Sequence, residues 1–267
     1  MKSILEIQQD AIWMRRRMLE LAKQAGPNGS HIGGSLSMVE ILATLYALVD
    51  VHNIDDNRDR VILSKGHAAM ALYCALERYG VLTKDEVDTF ELNGTHYYSH
   101  ASRNTNKGIE FSGGSLGLGL SYGVGVALSC LERKMNNHIY VILGDGECNE
   151  GIVWESIMSI NNLKLNNITI IVDNNGFQAD GNTCDVMDMT PMSEKFSAFG
   201  LSVVEADGHN VGELLQALQN RSQEKAKVII AHTIKGKGVS FLENQPTSHH
   251  CVINQKKFET ALNELNQ

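Results

Sequence analysis

The strongest constraint on what this chain can fold into is the run from His138 to Asn175, where two apolar, β-rich segments are separated by a turn and a stretch of helical spacing. The first segment, His138 to Leu143, stops at Gly144-Asp145-Gly146. A helical pattern follows from about Gly151 to Leu165, and the second segment, Ile168 to Asp173, ends at Asn174-Asn175. Two such runs joined by a helix predict a strand–helix–strand unit with parallel strands, the connection that chain handedness favours. Gly144 and Gly146 let the backbone approach an anion closely, and the following helix can aim free N–H groups and the positive end of its dipole at it. Asp145 places a hard anionic oxygen after the first strand, and Asn175, thirty positions on, places an amide oxygen after the second. Both then lie at the carboxyl edge of one sheet, where open α/β folds bind ligands. Such oxygens suit Mg²⁺ or Ca²⁺, which also take phosphate oxygens and water. Each triplet alone reads as a turn. The pair, each member closing a strand, points to a diphosphate and its metal.

The flanking sequence continues the alternation. Helices are predicted over about 3–24, after a flexible loop at 30–37 to about Val49, over 69–79, over 83–92 behind a Thr83/Glu86 capping box, over 193–199, over 211–220 and from Gln255. Strands are predicted over 60–64, 201–205 and 228–231, with a polar linker at 50–59 and a turn and helix cap at 207–210. The expected fold is therefore α/β, a mostly parallel central sheet flanked by helices, with residues 1–267 as a single domain. At 43% hydrophobic residues the chain can bury the core such a domain needs. The uncharged run 113–131 approaches the length of a membrane span, but its many small residues predict a buried helix packed closely on a neighbour. Its GxGxxxG spacing does not directly follow a predicted strand, so it is not a nucleotide loop. A net charge of −8 argues against a nucleic-acid or anionic-membrane partner. Five scattered cysteines read as reduced thiols, and the charged amphipathic start lacks the features of a signal peptide. The expected location is cytoplasmic.

Read singly, the polar residues are ambiguous. His31 sits in a glycine-rich loop and reads first as a surface residue, while His67 follows a strand and is either a sheet-edge functional group or a capping histidine. The loop 93–110 carries His96, His100 and Arg103, and long loops are usually functional or mobile. Glu147 and Glu150 precede a helix and read as partners of its dipole. Trp154, Ile157, Met158 and Leu163 fall near helical spacing and read as core. His249-His250-Cys251 invites a zinc reading, but adjacent residues chelate one metal poorly.

The GDG triplet followed, after a helix and a strand, by Asn-Asn resembles the thiamine diphosphate signature, and the longer GDGECNEGIVWE…DNNGFQADG resembles the transketolase family in particular. That resemblance implies thiamine diphosphate and Mg²⁺ as cofactors, with Ca²⁺ as a substitute. It makes Asp145, Asn175 and the backbone carbonyl of Phe177 the metal ligands, places Gly146 against the cofactor's diphosphate, and counts Gly144 and Glu147 among the cofactor-binding residues. SKGHA matches the family pattern in which the histidine, here His67, contacts the diphosphate, and Gly114-Ser115-Leu116 resembles the turn that meets the pyrimidine side. His31 and His100 correspond to histidines facing substrate, although Ala101 stands where the family has proline. Glu150 corresponds to a glutamate in an acidic network across the subunit interface. TIKGKGVSFLEN followed by His249 matches the segment ending in Trp-His-Gly, whose histidine reaches substrate and cofactor; here Ser248 and His250 replace the tryptophan and the glycine. Several neutral imidazoles around one pocket suit proton movement on sugar hydroxyls.

The resemblance spans nearly the whole chain but only one part of the family's architecture, which continues into a pyrimidine-binding domain holding the activating glutamate and then a third domain. It therefore implies the amino-terminal, diphosphate-binding subunit of a split transketolase, working only with a separate carboxyl-terminal chain in an α2β2 heterotetramer. The expected reaction moves a two-carbon ketol unit from a ketose or ketose phosphate to an aldehyde. Alternatives are a 1-deoxyxylulose-phosphate-synthase-like enzyme, a 2-oxo-acid dehydrogenase α-type subunit, or a non-catalytic cofactor-binding subunit.

Overall fold

The structure is a computed structural model that describes residues 2–50, 56–222 and 224–266; part of the expected 50–59 linker lies outside them. Helix α1 (Ile4–Gln24) starts at Ser3, whose hydroxyl accepts from the Glu6 amide while Glu6 returns a bond to the Ser3 amide. The 30–37 stretch expected as loop holds a short helix, α2 (Gly33–Leu36), and after a break the apolar helix expected up to Val49 follows as α3 (Val39–Leu48). The break falls at Ser37-Met38, where the Ser37 hydroxyl is held by Asp173 at 2.6 Å. After β1 (Arg60–Leu63) come α4 (Ala69–Arg78) and α5 (Lys84–Val87). The Thr83/Glu86 capping box is present, but α5 stops well short of the expected residue 92; the turns beyond it lead to Glu91, which adopts a positive φ of 59°.

Helix α6 (Leu118–Glu132), β2 (Ile139–Gly144), α7 (Gly151–Asn162) and β3 (Ile168–Asn174) form the central unit. A short hairpin, β4 (Phe177–Gln178) and β5 (Gly181–Asn182), and α8 (Thr183–Val186) occupy what the sequence presents as loop. The chain then runs through α9 (Met192–Ala198), β6 (Ser202–Asp207), α10 (Val211–Gln219), β7 (Lys227–His232) and α11 (Gln255–Glu264). The 207–210 turn is the expected cap, with Asn210 accepting from the Gly212 and Glu213 amides.

The five main strands are all parallel, in the order β1-β2-β3-β7-β6. Along β2, Tyr140 and Ile142 face one core while Ile139, Val141 and Leu143 face the other, and Ile171 against Ile170 and Val172 repeats this alternation on β3. The first core is closed by α1, α3, α4 and α10, the second by α6, α7 and α9. Because helices cover both faces, the inner strands β2 and β3 are buried along almost their whole length, which is why they are legible as apolar runs, whereas the edge strand β6 carries Glu205 in an exposed position.

Two packing expectations need correction. Helix α6 is buried on one face only. Gly119 and Gly123 allow that face to approach β1 and β2 so closely that a Cβ would lie 2.5 Å from Ser64 Cβ and 2.7 Å from Val141 Cγ2. On its other side Leu118 is 41% exposed and Gly125 faces open space. On α7, Ile157 is core and Trp154 packs on Phe196, but Met158 (51% exposed) and Leu163 (43%) are not buried. Helical spacing alone does not separate an inward stripe from its flank. No helix among the described residues is long and apolar enough to cross a membrane.

Candidate active site

All five parallel strands end at one sheet edge, and the loops that leave this edge assemble a cavity of about 380 Å³. Every residue singled out from the sequence as catalytic, cofactor-binding or metal-binding lines it except Ser115, which is exposed beside Gly114 and Leu116. His96 and Arg103 are exposed and outside it.

The floor is made of carboxylates. Asp145 follows β2, and its two oxygens accept from the Gly146 amide at 2.8 Å and the Gly176 amide at 2.6 Å. Burial, with Asp173 adding its negative charge, pushes Asp145 up to about 6 despite these bonds. Asn175 stands at the end of β3 with its amide oxygen accepting from Phe177 N–H at 3.1 Å and its amide nitrogen donating to Asp173 at 3.1 Å. Gly146 is a genuine close approach: a Cβ there would lie 2.7 Å from Gln178 Cβ, so any side chain would displace the β4–β5 hairpin.

Glu147 corrects the sequence reading of it as a helix-dipole partner. It lies in a separate short turn, Gly146–Asn149, before α7 begins, and is buried. It accepts from Ser64 Oγ at 2.5 Å, from Gly117 N–H at 2.7 Å and from Gly144 N–H at 3.0 Å. It thus ties the end of β1, the start of α6 and the end of β2 together behind the cavity. Glu150 is exposed at the start of α7 and makes no capping bond with its side chain.

Sequence reasoning missed the cations. Lys65 is completely buried at the end of β1, where its ammonium is paired with the equally buried Asp173 and donates to Gly34 O at 3.0 Å. Asp173 also accepts from Ser37, Asn175 and Thr233; burial pushes its carboxyl up, but Lys65, Ser37 and Thr233 outweigh this and hold it below its ordinary value. Lys235, from the loop after β7, donates to Gln178 O at 3.3 Å and lies 3.4 Å from His249 Nδ1. Burial and then Lys65 bring its ammonium down to about 8. The loop carrying it is anchored by Arg15, which is bonded to Glu40 and to Lys237 O, while His209 bridges Glu40 and Ile234 N–H. The available signal was the lysine inside SKGHA and inside TIKGKG, each directly after a strand.

The wall is imidazole. His31, between α1 and α2, lies with its ring centroid 6.0 Å from His67, 5.3 Å from His100, 5.5 Å from His249 and 4.6 Å from His250. His67 and His249 are 5.1 Å apart. Burial first, then the neighbouring rings, lowers His31 to about 4; burial, Lys235 and Lys65 do the same to His249, and burial and Lys65 take His67 well below its usual value. At neutral pH these three rings are therefore uncharged, each with one donor and one acceptor nitrogen. His31 Nδ1 is buried without a hydrogen-bond partner.

The cavity fits a diphosphate with a divalent ion. Asp145 is a buried carboxylate beside a second one, Asp173; Asn175 and the Phe177 carbonyl are hard oxygens near it, and Lys235 with His67 supplies donors. Among the described residues no group of three or more His, Cys, Asp or Glu is arranged to hold a metal, so an ion here needs oxygens from its ligand as well.

Similarity to known proteins supports the thiamine diphosphate part of this reading. The family model described as transketolase, thiamine diphosphate binding domain, matches residues 8–265. The chain is 38% identical to the 6-deoxy-6-sulfo-D-fructose transketolase subunit SqwG of a Clostridium species, over 98% of this chain and 96% of that protein. It is 36% identical to an apulose-4-phosphate transketolase subunit of Actinobacillus succinogenes, over 97% and 96%. Transketolase from Leishmania mexicana superposes with a TM-score of 0.88 at 25% identity, covering all of this chain but 42% of that one. The chain belongs to the transketolase family, as its thiamine diphosphate binding domain.

Proposed function

We propose that this chain is the diphosphate-side subunit of a two-chain, Mg²⁺-dependent transketolase that moves a two-carbon ketol unit from a ketose to an aldehyde. The observation that carries the reading is the single cavity in which Asp145, Asn175 and Phe177 stand opposite four imidazoles. Bound there, thiamine diphosphate supplies the carbon nucleophile that adds to a ketose carbonyl and allows the adjacent carbon–carbon bond to break. Asp145, Asn175 and the Phe177 carbonyl hold the metal, while His67, Lys235 and the Gly146 backbone hold the diphosphate. His31, His100 and His249, the first and last uncharged, exchange protons with substrate hydroxyls.

A separate partner chain is supported by two facts, and the assembly we propose for the pair is α2β2. Relatives named as transketolase subunits match this chain almost end to end, and the solved transketolase is more than twice as long. The exposed flank of α6, including Leu118, lies next to the cavity's Gly114–Leu116 rim, and Glu150 faces outward there; this flank is where the partner completes the site. Five free cysteines fit a reducing, cytoplasmic location.

The test is calorimetric titration of thiamine diphosphate with Mg²⁺ into this chain, its co-purified partner and the complex. Tight binding by the wild-type complex, weakened at least a hundredfold by Asp145→Ala, is expected. Unchanged affinity in that variant would remove the metal assignment, and a complete site in this chain alone would remove the two-chain reading.

A further inference from the structure

His249 differs from the other imidazoles that line the cavity. Its Nδ1 lies 3.4 Å from Lys235 Nζ, whereas among the described residues the rings of His31, His67 and His100 make no hydrogen bond. The contact has one possible polarity. An ammonium is a donor with no lone pair, so Lys235 gives an N–H to Nδ1, and Nδ1 is the unprotonated nitrogen. Burial, then Lys65, brings Lys235 down only to about 8, while burial, then Lys235 and Lys65, takes His249 to about 4. At neutral pH the lysine is therefore charged and the ring is not. A neutral ring with a bare Nδ1 carries its proton on Nε2.

The spacing of the two side chains is built. Gly236 N–H donates to Gly33 O at 3.0 Å and Asn244 N–H to Lys235 O at 2.9 Å, which fixes the loop carrying the lysine against α2. The segment carrying the histidine is pressed on the same glycine, where a Cβ would lie 2.4 Å from Ser248 Oγ and 2.6 Å from Ser248 O. Just beyond, Ser30 and Cys251 exchange backbone bonds of 3.0 and 3.1 Å.

The donors on the ammonium are then accounted for. One goes to Gln178 O at 3.3 Å and one to His249, and the last is left for a diphosphate oxygen. His249 Nε2 has no partner among the described residues and is not one of their buried unpartnered atoms, so it opens onto the cavity.

We propose that Lys235 is a positioning residue that holds His249 as the Nε2–H tautomer, so that His249 meets the substrate as a hydrogen-bond donor to the ketose oxygen that gains negative charge. Proton acceptance is left to the other imidazoles. The tautomer stands on contacts within this chain; its use in turnover rests on the ketol-transfer reading of the site. A bond from a charged donor favours one tautomer by roughly tenfold or more.

The experiment records the imidazole nitrogen NMR resonances of the chain carrying isotope-labelled histidine, alone and in the ligand-free complex at neutral pH, with His249→Gln assigning the ring. The parent should show Nδ1 unprotonated and Nε2 protonated. Lys235→Met should move both toward the averaged values of a ring that holds its proton on either atom. A protonated Nδ1 in the parent, or a spectrum that Lys235→Met leaves unchanged, overturns the proposal, and the parent spectrum tests the tautomer whether or not the variant folds. Kinetics separate this role from diphosphate binding. In the reconstituted complex at saturating cofactor, Lys235→Met should lower kcat about tenfold, leave KM for the ketose within about twofold, and add almost nothing to the loss in His249→Ala. Lys235→Arg, which keeps a charged donor, should recover part of the rate. A Lys235→Met loss that multiplies fully with that of His249→Ala overturns the route through His249. A complex that shows the expected tautomer and binds the cofactor yet transfers from no donor removes the ketol-transfer reading and the use in turnover with it, and leaves the tautomer assignment standing.

Discussion

The carboxylate floor of the cavity and its imidazole wall are both collections of buried titratable groups, and they are held in opposite ways. On the floor almost every acceptor is matched within the chain: Glu147 takes three donors from three elements, and Asp173 takes Lys65, Ser37, Asn175 and Thr233. In the wall, rings meet rings, and His31 Nδ1 is buried with no partner at all. The floor's polar groups are committed to holding strand ends in place. In the wall, His249 Nδ1 meets Lys235 while His31 Nδ1 stays unpaired, which costs stability but leaves ring nitrogens free for a ligand. Changes in the floor should therefore act first on folding, and changes in the wall on turnover.

The sharpest way to break this contrast is Lys65→Met. It strips a fully buried Asp173 of its counter-charge and should destabilise the chain by roughly 3–5 kcal/mol, with Asp173→Leu in the same chain recovering much of the loss. Chemical denaturation of both variants checks this, and a Lys65→Met protein as stable as the parent would place the pair outside the folding framework. His249→Ala is the counterpart in the wall. Its denaturation midpoint should stay close to that of the parent while two-carbon transfer by the complex falls about a hundredfold; an unaffected rate would return His249 to an ordinary surface role. Between the two regions lies Gly146→Ala, which drives a Cβ into Gln178 and should cost about 1–3 kcal/mol of stability together with cofactor affinity. Retention of both would mean that the hairpin moves freely.

The smallest effect is in pH dependence. His31 and His249 have folded pKa values near 4, below the unfolded value of 6.5, so the unfolded chain binds more protons between these limits. Their share of stability is complete above pH 6.5 and is lost as pH falls from 6.5 through about 4. Glu40 behaves at lower pH. Arg15 and His209 overcome the effect of burial and hold it near 2, so its share is present above 4.5 and is lost as pH falls through 2. Denaturation midpoints should therefore decline in two stages. His67 and His138, lowered chiefly by burial, add to the same acid decline, so replacing His31 and His249 together by glutamine should make only the upper stage shallower; a decline that stays unchanged would assign it to the other groups.

Much of the fold is legible from local pattern. The β2–α7–β3 unit could be placed because an apolar run, a glycine turn and a helical period are properties of neighbouring residues, and handedness then dictates parallel pairing. The capping box at Thr83 is local in the same sense, although the helix it opens stops short of its expected length. Burial direction is not local. Met158 and Leu163 share the spacing of Ile157 yet face outward, and α6 is apolar all round but covered on one side, because exposure depends on which neighbours the rest of the chain brings up.

The candidate site divides along the same line. By itself the sequence determined the chemistry at each strand end: glycines where backbone must come close, Asp145 and Asn175 as oxygens at one edge, and histidines after loops. Only the tertiary structure decided that His31, His67, His100 and His249 share a cavity, that Lys65 is neutralised by Asp173 108 positions away, and that Glu147 binds three strand and helix ends instead of facing solvent. The reason is geometric. Residue type and local period fix what each element is, whereas the strand order β1-β2-β3-β7-β6 fixes which loops emerge side by side, and that order comes from burying two apolar faces at once.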